Sequence, residues 1–168
     1  MITLVQSYFI DYPAESRLWV FMAERKLDEV ETKVVKTYMD QFMPQWNAHG
    51  NALKGGYEWI FDQFLVIAVD ESPAAASGCS IDSLTRYIKL IEDKIGTSFT
   101  DRMLVSYFEN EQMKTEKLFD FKKKVKNGDI AKNTIVFNNS VSNLSDFWDN
   151  WQQPLDQSWA ANLVPDAQ

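Results

Sequence analysis

Apolar residues occur along this chain in two patterns, as continuous runs and as helical repeats. Residues 64–69 form a run of six apolar residues that is followed by Asp70, Glu71 and, two positions later, Pro73. A run of this length between turn residues is typical of a strand whose two faces are both buried. Because proline has no N–H to donate to a neighbouring strand, the strand is expected to end before Pro73.

A helical repeat follows this strand after a loop of small residues. Apolar side chains recur there at steps of three and four residues, which places them on one face of an α-helix. They are Ile81, Leu84, Ile88, Ile91 and Ile95. Ser80 is predicted to cap the start of this helix, because its hydroxyl can accept a hydrogen bond from a first-turn N–H. Gly96 is predicted to cap its end.

Three further strands and one more helix are predicted around this unit. The predicted strands are residues 17–23, 57–61 and 103–108. They are rich in aromatic and β-branched residues. The short link at residues 62–63 predicts a hairpin between the second of these strands and residues 64–69. The helix is predicted to begin after Asp28, because Glu31 follows at the spacing of a capping box, and to end at Pro44.

The predicted order of elements is β-α-β-β-α-β, which is that of a ferredoxin-like split βαβ core in the α+β class. The first and third strands are central in that fold, and the most apolar predicted strands here hold those places. We therefore predict a ferredoxin-like core over residues 1–110 and a C-terminal α/β extension over residues 111–168. The predicted elements of the extension are a helix over 116–126 capped by Thr115, a strand over 134–137, and a short helix capped by Asn143 or Ser142.

Length, charge and cysteine content narrow the class of protein. The chain has 168 residues, a net charge of −7 and a single cysteine. This length fits one domain with a small appendage. The acidic balance argues against binding to nucleic acid or to an anionic membrane surface. A lone cysteine is typical of a reducing compartment, and the sequence shows no targeting segment or membrane-length apolar run, so we expect a cytoplasmic protein.

The predicted topology brings scarce chemical groups to one edge of the sheet. The loop after the first helix and the loop before the second helix lie at the same end of a β-α-β-β-α-β unit, and they carry the only histidine, His49, and the only cysteine, Cys79. Trp46, Asp70 and Glu71 are expected at that end too. A helix N-terminus and a nearby imidazole would make Cys79 a nucleophile with His49 as its base, as in a thiol-dependent hydrolase or transferase.

The same edge has two other interpretations. The N–H groups of Ser77, Gly78, Cys79 and Ser80 would form a concavity that binds a carboxylate or a phosphate. Alternatively, Cys79 is a small buried residue and His49 is an ordinary loop residue. We expect a binding or regulatory domain, for a small anionic ligand or a protein partner, as the leading function. A thiol-dependent enzyme is the alternative.

Other chemistries are less well represented in the sequence. It contains no G-x-x-x-x-G-K-[ST] motif for phosphate binding by a P-loop. One histidine and one cysteine cannot build a structural zinc site, and we predict no metal and no cofactor. The C-terminal tryptophans Trp148, Trp151 and Trp159 either attach the tail to the domain or form an exposed surface that binds a peptide or protein.

Four short segments are similar to those of a known family. They are Asn47-Ala-His-Gly50, Ala68-Val-Asp-Glu71, Ser77-Gly-Cys-Ser-Ile-Asp82 and Thr134-Ile-Val-Phe-Asn-Asn139. With these segments the chain resembles, over its whole length, a small bacterial family whose members are often labelled ABC transporter ATPase. The resemblance implies a bacterial protein of this size and no particular activity. The label has no support in these residues, because a P-loop, an ABC signature motif and a Walker B strand are missing.

Overall fold

The computed structural model describes residues 5–166, and these residues form an α+β protein. Its α-helices are α1 (Glu29–Phe42), α2 (Gly78–Ile95), α3 (Leu118–Lys126) and α4 (Leu144–Asn150). Its strands are β1 (Arg17–Met22), β2 (Asn47–Ala48), β3 (Asn51–Ala52), β4 (Lys54–Ile60), β5 (Phe64–Asp70), β6 (Leu104–Glu109), β7 (Gln112–Lys117), β8 (Ile135–Phe137) and β9 (Gln152–Pro154). Short 3-10 helices cover Val5–Ser7, Met43–Gln45, Leu155–Gln157 and Ala161–Leu163. Within this range, none of the helices is both long and apolar enough to cross a lipid bilayer.

Strand β5 is the centre of a three-stranded antiparallel sheet with the order β1-β5-β4. Every residue of β5 is buried, because helices α1 and α2 cover one face of the sheet while α4 and the N-terminal segment cover the other. Leu65, Ile67 and Val69 pack in the first layer. Phe64 and Val66 pack in the second. The prediction of a strand buried on both faces is confirmed.

The fourth strand predicted for this sheet lies elsewhere. Strands β1, β5 and β4 have the order and directions of the first three strands of a split βαβ unit. Strand β6 instead joins a separate sheet with the order β7-β6-β8-β9. Loop segments bond the outer edge of β1, where Leu18 N–H donates to Ser142 O at 3.0 Å and Met22 N–H donates to Phe99 O at 3.2 Å. The α+β class is confirmed, and the ferredoxin-like arrangement is not.

The ends of the two long helices follow from their capping residues. Asp28 accepts a hydrogen bond from Glu31 N–H at 2.8 Å, and Glu31 accepts one from Asp28 N–H at 3.0 Å. The predicted capping box of α1 is therefore confirmed. Helix α2 begins earlier than predicted, because Ser77 and not Ser80 is its N-cap. Gly96 caps its end with a φ of 81°, a conformation that glycine adopts without steric cost.

The C-terminal segment contains a strand that the sequence pattern did not predict. Thr115 caps no helix, because it lies in β7, and α3 begins only at Leu118. Pairing of β7 with β6 satisfies the backbone N–H and C=O groups that a helix would satisfy within itself. Asn143 caps α4, and Ser142 does not. The short strand predicted before α4 is confirmed as β8.

The C-terminal tryptophans attach the tail to the rest of the protein. Trp151 has no exposed surface, and its ring stacks on Phe147 with a centroid separation of 4.9 Å. Trp148 is half-buried and donates to Tyr8 O at 3.0 Å. Trp159 is 39% exposed and donates to a β8 carbonyl at 3.1 Å. The three rings do not form the exposed patch that an interaction module would need.

Candidate functional site: a pocket beside the start of helix α2

A pocket of about 660 Å³ opens where the end of α1, the β2–β3 hairpin and the exposed face of α2 meet. Its apolar part is formed by Phe42, Trp46, Tyr87 and Leu90. His49 and Cys79 also line it, so two segments far apart in sequence supply the only imidazole and the only thiol of the chain to one cavity. The volume is in the range of pockets that bind small molecules.

The β2–β3 hairpin holds His49 at its tip. Ala48 pairs with Asn51, which leaves His49 and Gly50 as a two-residue loop. Both loop residues have positive φ, 52° and 82°, as a type I′ turn requires. The side-chain oxygen of Asn47 accepts a hydrogen bond from Gly50 N–H at 3.3 Å and stabilises this turn. His49 is consequently exposed at the mouth of the pocket.

Cys79 lies in the first turn of α2 and is exposed. The interpretation that made it a buried residue is therefore wrong. On a helix, the residues that follow Cys79 by four, seven, eight and eleven positions lie on about the same face as Cys79. Those positions in α2 hold Ser83, Arg86, Tyr87 and Leu90, which explains why one helix supplies most of the pocket wall.

Trp46 connects the two segments that form the pocket. Its side chain is 2% exposed, and its Nε1 donates a hydrogen bond to Ser80 O at 2.8 Å. Its ring also packs on Phe42, with the two centroids 5.3 Å apart. A side chain at Gly55 would place Cβ 3.1 Å from the Trp46 ring, so the absence of a side chain there makes room for the indole. The wall and floor of the pocket are thus held by buried contacts.

The pocket has a cationic lining in an acidic protein. Arg86 and Lys89 contribute to it, and none of its lining residues is an aspartate or a glutamate. Arg86 Nη2 donates to Ser83 Oγ at 3.2 Å. Lys89 Nζ lies 3.2 Å from the carboxylate of Asp93, and both of these side chains are mostly exposed. The charged lining residues are therefore both basic in a chain whose net charge is −7.

The two carboxylates predicted for the site stabilise a loop instead. Asp70 accepts hydrogen bonds from Ser72 Oγ at 2.6 Å and from Ser72 N–H at 3.0 Å, and it lies 3.2 Å from Lys54 Nζ. The bonds from Ser72, with a smaller contribution from Lys54, hold the pKa of Asp70 below its usual value. Glu71 accepts from Ala76 N–H at 2.8 Å. In residues 5–166 no three histidine, cysteine, aspartate or glutamate side chains are grouped to hold a metal ion.

The predicted anion-binding concavity at the start of α2 is largely closed by its own side chains. Ser77 N–H donates to Ser80 Oγ at 2.7 Å, and Ser80 N–H donates to Ser77 Oγ at 3.2 Å. These reciprocal bonds satisfy two of the donors that an anion would need. Ser77, Gly78 and Ser80 do not line the pocket. Of the predicted site residues, Trp46, His49 and Cys79 line the pocket.

Arg86 and Lys89 were missed by the sequence analysis. A signal was present, because both lie within the helical repeat but outside its apolar stripe. Basic residues at such positions usually face solvent, and nothing in the sequence shows that the loop carrying Trp46 and His49 lies beside them. The position of the pocket depends on how this loop packs against α2, and the two are far apart in sequence.

A scan of protein-family models, a search of curated proteins and a search of solved structures each found no match to this chain. The resemblance to a bacterial family therefore stays a prediction.

Proposed function

We propose that this protein binds a small organic anion with an aromatic or aliphatic group in the pocket between α2 and the β2–β3 hairpin. One observation carries the proposal: the pocket combines Arg86 and Lys89 with an apolar floor and has no carboxylate among its lining residues. In a chain with 24 acidic and 17 basic residues, a cavity with basic residues and no acidic ones favours a negatively charged ligand.

The two cations would contribute in different ways. The planar guanidinium of Arg86 can donate two parallel hydrogen bonds to a carboxylate or a phosphate. Lys89 supplies a point charge at the same pocket, whose apolar part includes the rings of Tyr87 and Phe42, packed with their centroids 4.7 Å apart. Its ion pair with Asp93 is exposed and contributes little, so the ammonium can turn to a ligand at small cost.

The proposal includes a binding or regulatory role in the cytoplasm of a bacterium. The single cysteine supports the location, and the family resemblance supports the source. The order β1-β5-β4 supports an origin from a ferredoxin-like core, with β6 drawn into the second sheet. Binding of a protein partner at the same pocket is the weaker form of this proposal, because the cavity has the size of a small ligand.

Matched charged and neutral probes test the proposal. We expect 1-naphthoate and phenyl phosphate to raise the melting temperature and to bind in calorimetry, and 1-naphthamide and phenol to bind at least tenfold more weakly. Arg86→Gln and Lys89→Gln should each weaken binding about tenfold, since a hydrogen bond to a charged group contributes about 1.5–3 kcal/mol. Lys33→Gln, an exposed lysine on α1, is the control. Equal binding of the neutral probes, or unchanged binding in both pocket variants, contradicts the proposal.

A thiol-dependent enzyme is the second candidate, because exposed Cys79 and His49 line the same pocket. A nucleophile and base normally have a third group that orients the base. Asn47 and Asn51 are the polar residues nearest in sequence to His49, and the amide of Asn47 already bonds Gln45 O and Gly50 N–H. Within residues 5–166 no side chain is hydrogen-bonded to the His49 imidazole, which makes binding the leading proposal.

Alkylation of Cys79 separates the two candidates. The enzyme candidate predicts fast reaction with iodoacetamide at pH 6–7 and a slower reaction in His49→Asn, a variant that keeps the left-handed turn conformation. The binding proposal predicts that Cys79→Ala still binds 1-naphthoate with unchanged affinity. Slow alkylation that His49→Asn does not alter removes the enzyme candidate.

A further inference from the structure

A second cavity of about 800 Å³ lies between the loop after β1, the β4–β5 turn and the β6–β7 hairpin. It shares no lining residue with the pocket beside α2. Three features of this cavity point to a ligand: a buried amide with an unused acceptor, two carboxylates without an ion-pair partner, and an aromatic wall.

The buried amide is the side chain of Gln63, which lines the cavity and is 2% exposed. Its amide donates to Ala23 O at 2.8 Å and to Thr115 Oγ1 at 2.9 Å. A backbone carbonyl only accepts hydrogen bonds, so the atom facing Ala23 is the nitrogen, and the orientation of the amide is settled. Both amide protons are thereby used, and among residues 5–166 no donor bonds the amide oxygen.

Hydrogen bonds among hydroxyl groups keep the Gln63 amide in this orientation. Ser106 Oγ donates to the Met22 sulfur at 3.0 Å, and the Ser106 and Thr115 hydroxyls lie 2.8 Å apart. Because each hydroxyl has one proton, Thr115 donates to Ser106 and can only accept from Gln63. Gln63 therefore cannot rotate its amide without breaking these hydrogen bonds, and its oxygen remains an acceptor for a group in the cavity.

Five charged residues line the cavity, the basic Arg25, Lys26 and Lys114 and the acidic Glu24 and Glu111, and within residues 5–166 only the basic ones have an oppositely charged partner within 4.0 Å. Arg25 forms a two-point ion pair with Glu31, at 2.7 and 2.9 Å, outside the cavity. Lys26 lies 3.7 Å from the carboxylate of Asp62, and Lys114 lies 4.0 Å from that of Glu109. The acidic lining residues are Glu24 and Glu111. Neither has a cationic partner within 4.0 Å among residues 5–166, and Glu24 accepts a single hydrogen bond from Thr97 Oγ1 at 3.2 Å.

The apolar wall is built around Phe61, which has a φ of 55°. A bulky residue in the left-handed region is uncommon and costs about 1–2 kcal/mol. In this conformation the ring packs edge-to-face on Phe108, with centroids 5.5 Å apart, and Met113 continues the wall. Aromatic faces next to carboxylates attract organic cations.

We infer that this cavity binds a small primary amine as its ammonium ion, with an apolar or aromatic group attached. One ammonium N–H bonds the Gln63 oxygen, the positive charge is balanced by Glu24 and Glu111, and the apolar group lies on Phe61 and Phe108. The inference is independent of the proposed anion site, because the two cavities share no lining residue and the ligand classes differ.

Three probes that share a benzyl group test the inference on the 168-residue chain: benzylamine, benzyltrimethylammonium and benzyl alcohol. We expect benzylamine at pH 7 to shift the backbone amide signals of residues 24–26 and 108–115 in a saturable NMR titration. The quaternary ion has the charge but no N–H, and the alcohol has a donor but no charge, so each should bind at least fivefold more weakly.

Two conservative variants locate the site. Glu24→Gln and Glu111→Gln keep the size of each side chain and should each weaken benzylamine binding about fivefold, while the exposed Glu15→Gln control should not. The inference is overturned if benzylamine causes no saturable NMR shifts at concentrations up to 50 mM. The inference is also overturned if both variants bind benzylamine as well as the wild type does. It is overturned as well if benzyltrimethylammonium binds as tightly as benzylamine.

Discussion

The indole Nε1 of Trp46 donates a hydrogen bond of 2.8 Å to the carbonyl oxygen of Ser80. This bond joins the loop that leads to His49 with the first turn of the helix that carries Cys79. Ser80 also completes the capping box of α2 through its hydroxyl. Residue 80 therefore takes part in the helix cap through its hydroxyl and in the contact with the hairpin segment through its backbone carbonyl. The shape of the candidate pocket depends on this junction.

Loss of the indole N–H should weaken both the fold and the pocket. In Trp46→Phe the carbonyl of Ser80 loses the indole N–H and keeps only the helical bond from residue 84, so we expect the free energy of unfolding to fall by about 1 kcal/mol. Affinity for 1-naphthoate should fall as well, because the hairpin is no longer fixed to α2. Urea denaturation and calorimetry measure the two effects. In the control Trp159→Phe the replaced indole is 39% exposed, and a loss as large as that in Trp46→Phe would contradict this reasoning.

Removing the N-cap of α2 should destabilise the protein. Ser77→Ala deletes the acceptor for Ser80 N–H and should lower the free energy of unfolding by about 1 kcal/mol. Ser142→Ala is the matched control, since the Ser142 side chain is exposed and caps no helix. Equal stability of Ser77→Ala and wild type in urea titrations would mean that the helix begins at another residue.

Glu31 should make stability depend on pH in the acid range. Hydrogen bonds from the Arg25 side chain and from Asp28 N–H lower the pKa of Glu31 from 4.5 to about 2. A carboxyl whose pKa falls on folding stabilises the folded state above its unfolded pKa and loses this effect as the pH falls. The contribution is thus complete above about pH 5 and is lost as the pH falls from 4.5 toward 2.

The Glu31 effect can be measured by following the urea midpoint from pH 7 to pH 2. Wild type should lose stability in this window more steeply than Glu31→Gln, whose side chain does not titrate. Glu29→Gln, in the same helical turn, should keep the wild-type slope. A pH profile of Glu31→Gln parallel to that of wild type would refute the assignment.

Trp151 should be the most costly of the C-terminal tryptophans to replace. Its ring is fully buried against Phe64, Phe137 and Phe147, and its Nε1 donates to Asn139 at 3.1 Å. Trp151→Ala should lower the free energy of unfolding by about 3–5 kcal/mol, measured in urea. Phe119→Ala, a change at an exposed aromatic residue, should stay within about 0.5 kcal/mol of wild type. Equal effects of the two changes would show that the tail is not held by Trp151.

The sequence was sufficient to predict features that depend on neighbours along the chain. The capping box of Asp28 and Glu31, the turn between β4 and β5, and the left-handed Gly96 each follow from a few adjacent residues. The burial of β5 was also predictable, because six apolar residues in a row leave no face for solvent. The choice of Ser77 over Ser80 as N-cap could not be predicted, since two serines three residues apart offer the helix two starting points.

The tertiary structure decided which distant segments pair and which side chains share a cavity. Strand β6 pairs with β7 and β8 and leaves the outer edge of β1 to loop segments, a choice that depends on the fit of surfaces far apart in sequence. The same packing turned Asp70 and Glu71 toward their own loop and placed Arg86 and Lys89 beside His49 and Cys79. Local sequence thus determined where most elements begin and end, and long-range packing determined the charge and shape of the site, because a pocket has no counterpart in the order of residues along one segment.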